Sequence, residues 1–154
     1  MEFDMRMEQA GITPASEGTN GVVWQILGQT YVPKSVTDHS FAWHATFPPG
    51  TFVPPHSHST QNEYLYILDG RLDFWLNGAE THATAGDTVR LPMNEPHGIF
   101  NKSDTTVKCL FWVAPTGRLY ELFQALHDMP EQIPEEVVRI AAEYDVFFLP
   151  PPPA

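Results

Sequence analysis

The chain has 154 residues, 42% of them hydrophobic, which is enough for one domain with a real core. A formal net charge of −11 argues against phosphate backbones and anionic lipid as partners, because like charges repel. There is no apolar run for a membrane span and no basic-then-apolar leader in MEFDMRMEQAGITP. The single cysteine, Cys109, fits a reducing compartment, so a cytoplasmic location is expected.

Residues 1–21 carry Gly, Pro, Ser, Thr and Asn without periodicity and are expected to form a mobile N-terminal arm. Residues 22–115 read as strands. VVWQIL, FAWHATF, EYLYIL, RLDFWL, DTVRL and TVKCLFWV are short, rich in β-branched and aromatic residues, and bounded by Gly, Pro, Asn or Asp. Hairpins are expected at Asp69-Gly70 and Asn77-Gly78, where positive φ is tolerated. Many short strands at close spacing predict an all-β sandwich or barrel. In the last of them Val107, Cys109, Phe111 and Val113 alternate with Lys108, Leu110 and Trp112, so the odd set should face inward. Cys109 is then a small core hydrophobe. Leu110 and Trp112 would need cover from C-terminal helices or a partner subunit.

After Pro115 the period changes. Leu119, Leu122, Phe123 and Leu126 fall at helical spacing, and PEEVVRIAAEY opens on Pro134 and two acids, a good first turn. Residues 116–154 should therefore be two short helices and an extended, Pro-rich tail.

Chemistry concentrates in PPHSHSTQNEY, residues 54–64. On a strand, His56 and His58 point the same way and can converge on one ion. Glu63 starts the next strand, and if that strand pairs with the first its carboxylate reaches the same point. His97, opening a later strand, would approach from the far wall. Any one of these residues alone is more simply a surface or satisfied polar group; the joint spacing changes the odds. Of the other histidines, His39 and His82 sit in turn-rich stretches, and His127 ends a helix. His44 lies on a strand and faces either the pocket or the outer sheet.

The spacing Gly50-x5-His56-x-His58-x4-Glu63-x6-Gly70, followed by Gly86-x5-Pro92-x4-His97-x3-Asn101, resembles the two signature motifs of the cupin family. One departure is Asn94, where the second motif usually has glycine; Asn tolerates the left-handed conformation next best. The resemblance implies a double-stranded β-helix, or jelly-roll barrel, with a short α-helical extension. It implies that His56, His58, Glu63 and His97 bind one metal, with Gly50, Gly70, Gly86, Pro92 and Asn101 in structural roles. Three imidazoles and a carboxylate suit a divalent first-row ion (Fe, Mn, Ni, Co or Cu), with positions left open for substrate and dioxygen.

After the barrel, VAPTGRLYELFQAL, a Pro-flanked helix and EYDVFFLPPPP are similar to single-domain cupins of the quercetin 2,3-dioxygenase-like group, and VVWQILGQTYVPK upstream resembles that group's N-terminal strands. That likeness implies oxidative cleavage of a flavonol or other enolisable hydroxy-ketone, with Glu63 as catalytic base. Leu65, Ile67, Ile99, Phe111 and His44 are candidate substrate contacts. The expected partners are a small molecule and O2, in a homodimer. The alternatives are a metal-dependent isomerase, cyclase or decarboxylase on a polyketide-like or acid metabolite, and a non-enzymatic small-molecule-binding cupin.

Overall fold

The computed structural model describes residues 8–150. After a single 3-10 turn the strands are β1 Trp24–Ile26, β2 Gln29–Val36, β3 Phe41–Phe47, β4 Phe52–His58, β5 Asn62–Asp69, β6 Arg71–Leu76, β7 Ala79–Thr84, β8 Thr88–Leu91, β9 His97–Phe100 and β10 Val107–Ala114. Helices α1 Leu119–Asp128 and α2 Pro134–Glu143 follow, then β11 Val146–Phe148. The strands form two antiparallel sheets facing each other, ordered β1-β2-β3-β10-β5-β8 and β11-β4-β9-β6-β7.

Alternation decides what fills the space between the sheets. On β3, Phe41, Trp43, Ala45 and Phe47 are buried; on β10, Val107, Cys109, Phe111 and Val113 are buried, as the sequence pattern predicts. The Trp43 and Phe111 rings stack at 5.1 Å and 12°. Burial pushes the Cys109 thiol far above its usual range, with the charge of Glu63 adding to it, so Cys109 is no nucleophile.

The two expected hairpins have different outcomes. Asn77 and Gly78 take φ 47° and 88°, and Leu76 pairs with Ala79 across them. The turn at Asp69-Gly70 is not a hairpin: β5 and β6 lie in different sheets. Gly70, at φ 94°, redirects the chain across the sandwich, and a Cβ there would lie 2.8 Å from Val107 Cγ2. The local signal marks a sharp reversal but not which sheet receives the next strand.

Two further details concern the N-terminal arm and the outer face of β10. The part of the arm that is described is pinned: Lys34 Nζ donates to the carbonyls of Pro14, Ala15 and Glu17, at 3.0, 3.1 and 2.6 Å. Residues 1–7 of the arm and 151–154 of the Pro-rich tail lie outside the described residues. Helix α1 does not cover Leu110 and Trp112. Its apolar stripe drops onto the open end of the sandwich, with Phe123 5.1 Å from Tyr31 and 5.0 Å from Trp43, and Tyr120 4.9 Å from Trp24. Burying a Phe ring is worth about 1.5–3 kcal/mol, and the ring-lined mouth offers the area. Trp112, half-buried outside, stacks instead on Tyr64 at 5.3 Å.

Candidate metal centre

The four residues singled out by spacing are buried and adjacent. His56, His58, Glu63 and His97 each offer a donor atom, and these atoms lie within 4.8 Å of one another. The route by which they meet differs from the expected one. β4 does not pair with β5; it pairs with β9, and His56 sits opposite His97. His97 therefore comes from the neighbouring strand, while Glu63 reaches across from the facing sheet. The register of β4 against β9 shifts between Val53 and His56. Pro54 and Pro55 occupy that irregularity, where a missing N–H costs the ladder little. On the other side β11 pairs with β4, placing Val146 opposite His58 and Phe148 opposite His56.

Each imidazole is oriented through its Nδ1. His56 Nδ1–H donates to Pro54 O at 2.8 Å, His97 Nδ1–H to Glu95 O at 3.2 Å, and His58 Nδ1–H to Gln61 Oε1 at 2.8 Å. An acceptor at Nδ1 fixes the proton there and leaves the Nε2 lone pair free. Gln61 cannot flip, because its Nε2 donates to the carbonyls of Pro115, at 3.2 Å, and Thr116. Asn94 does adopt the left-handed conformation, φ 67°, and its N–H donates to His58 O at 2.8 Å.

The donor chemistry fits a bound cation. Glu63 lies 3.7 Å from His58 Nε2 and 3.8 Å from His97 Nε2. Donors around one ion at about 2.1 Å stand roughly 3–4.2 Å apart, close to this spacing. His97 Nε2 is buried without a hydrogen-bond partner. Burial, then His97 and His58, hold His56 well below the usual histidine range. Burial, then His58, lower His97 to about 3. Burial raises Glu63, partly opposed by His58. Two imidazoles held neutral by burial, His56 and His97, thus stand with His58 around a buried carboxylate, a donor set that suits a divalent ion.

A chamber of about 50 Å³ lies against His56, His58 and Glu63. Its walls include Tyr31, Trp43, Ile99 and Phe111 from the sheets, and Leu119, Leu122, Phe123 and Leu126 from α1. The Nε1–H of Trp43 is buried without a partner. Of the expected substrate contacts, Ile99 and Phe111 line the chamber. Leu65 and Ile67 are fully buried in the barrel core and do not line it. His44 is not part of the site. It shares the outer face of β3 with residues that alternate against Trp43, and burial and the charges of Lys34 and Lys108 lower its pKa. Gln61 was not legible as a ligand-orienting residue: one glutamine in HSTQNE reads as turn polarity until the carbonyls of Pro115 and Thr116 are seen beside it. The α1 roof was visible as a helix but not as a wall of the site.

Residues 43–113, somewhat under half of the chain, match the Cupin domain family model, and solved structures share the two-sheet fold. An RmlC-like cupin from Shewanella frigidimarina superposes with a TM-score of 0.64 at 17% identity, over 73% of this chain and 96% of that one. The tetracenomycin polyketide synthase protein TcmJ of Streptomyces glaucescens is 29% identical over 91 residues, 58% of this chain and 61% of that protein. The polyketide synthase CurC of Streptomyces cyaneus is 27% identical over 67 residues, 44% of each chain. The chain thus spans less than two thirds of the length of these curated relatives. No helix among the described residues is long and apolar enough to cross a membrane.

Proposed function

We propose that the chain is a metal-dependent cupin enzyme that takes an enolisable hydroxy-ketone, of the flavonol or polyketide type, and directs its oxidative cleavage by dioxygen. The observation that carries this reading is the convergence of donor atoms from His56, His58, His97 and Glu63 beside a small, largely apolar chamber. A first-row cation held there supplies Lewis acidity to a substrate oxygen and a route for electrons to dioxygen. Glu63 is the proton acceptor: it is the one carboxylate in the chamber wall, and burial favours its protonated form. The Trp43 Nε1–H is a free donor for a substrate oxygen. The stacked Trp43 and Phe111 rings form a rigid flat wall, and the α1 side chains keep bulk water out.

A second reading, cyclisation or isomerisation of the same substrate class without dioxygen, is favoured by the likeness to two proteins described as polyketide synthase components. It uses the same proton transfer to Glu63. Oxygen uptake by the metal-charged protein, screened over flavonols and smaller enolisable ketones, separates the two. Uptake matched to substrate loss supports cleavage. Product without uptake supports the second reading, and no turnover of either kind contradicts both.

A further inference from the structure

The chamber beside the donors is too small for the substrate class proposed above. Its volume is about 50 Å³, room for a few waters, whereas sites for drug-sized ligands run to roughly 300–1,000 Å³. A second, much larger depression of about 980 Å³ lies on the outer side of the five-stranded sheet. Its floor includes Phe52 and Phe100, whose rings stack at 5.8 Å and 15°, and one wall is the exposed side of α2 at Val138. Two side chains border both spaces: Leu27 and Phe148.

Both residues carry signs of a specific placement. Leu27 and Gly28 form the two-residue turn that joins β1 to β2, with Ile26 paired to Gln29. Leu27 sits at φ 51°, left-handed, where Asn or Gly costs least and leucine is an outlier. The turn is held there by Gln132, whose Oε1 accepts from Leu27 N–H at 2.7 Å. A bulky apolar side chain is thus kept in a strained backbone position at the chamber wall. Phe148 ends β11, a three-residue edge strand paired to β4 alone, with its ring 5.3 Å from that of His56. Phe147, one position earlier, points the other way and is 43% exposed.

We propose that the outer groove binds the planar, apolar body of the substrate, and that Leu27 and Phe148 form the gate through which its reactive end reaches the metal donors. The inference rests on the substrate class proposed above. The groove and the chamber meet at that pair, which lines both, and the groove's paired aromatic floor suits a flat ring system.

Two measurements on the full chain test this without metal or turnover. The first is fluorescence titration with 1-aminoanthracene, a neutral planar aromatic. Saturable binding is expected, weakened at least tenfold by Val138→Lys on the exposed groove wall. No saturable binding, or unchanged binding in that variant, overturns the groove assignment. The second is carbethoxylation of His56, His58 and His97 by diethyl pyrocarbonate, followed by peptide mapping. Leu27→Asn suits the left-handed backbone and removes the apolar wall; it should speed modification at least tenfold, as should Phe148→Ala. Phe148→Leu provides a milder opening if the alanine variant loosens β11. Phe147→Ala, on the same strand but outside both spaces, should leave the rate unchanged. Equal acceleration by Phe147→Ala, or none by Leu27→Asn, overturns the gate. If both measurements succeed while every enolisable ketone fails as substrate, the gate stands and the proposed reaction falls.

Discussion

Glu63 is the one buried carboxylate among the described residues, and it lies in contact range of two imidazoles. If it serves only as a fourth donor, its loss should weaken metal retention and activity together. If it also accepts the substrate proton, activity should fall even where metal is restored. General bases contribute roughly 10²- to 10⁴-fold in rate. Glu63→Gln keeps the shape and one acceptor oxygen. Assayed in excess metal salt, this variant is therefore expected to retain metal and lose at least about a hundredfold in turnover. Turnover within a few-fold of the parent would mean that the proton goes elsewhere. The donor residues themselves were legible because period-two alternation, two short motif spacings and residue chemistry all agree on them. Gln61 was not legible, since its role depends on carbonyls more than fifty positions away in the chain.

Among the elements, sequence gave type more readily than partner. The β3 segment FAWHATF and the β6 segment RLDFWL have the bounds read from composition. The pairing of β4 with β9 rather than β5 did not show, because alternation fixes which way a side chain points but not which strand lies beside it. The same limit made Asp69-Gly70 look like a hairpin. Its real role gives a direct comparison. Gly70 and Gly86 both need positive φ, at 94° and 93°, but only Gly70 has a close neighbour for an added Cβ. Gly86→Ala should show the backbone penalty alone, about 1 kcal/mol. Gly70→Ala should add the clash with Val107 and lose about 2–3 kcal/mol or more. Urea midpoints of the two variants compare them, and equal losses would show that the sheet-to-sheet crossing relaxes freely around Val107.

For the whole molecule, two sheets supply a rigid frame, and the C-terminal helices and β11 close it. The frame brings histidines from β4 and β9 opposite a glutamate from β5, and α1 roofs the space between them. The helices' apolar faces were readable from their spacing. Their position was not, since a stripe of Leu and Phe fits an outer sheet face as well as a barrel mouth. Everything proposed for the chemistry depends on one claim, that these four side chains hold a single ion. Elemental analysis of purified protein by plasma mass spectrometry, after loading with a first-row metal and desalting, tests it most directly. One ion per chain is predicted for the parent, and close to none for the His56→Ala, His58→Ala double variant, which deletes two of three nitrogen donors. Full occupancy in a folded double variant would contradict the account.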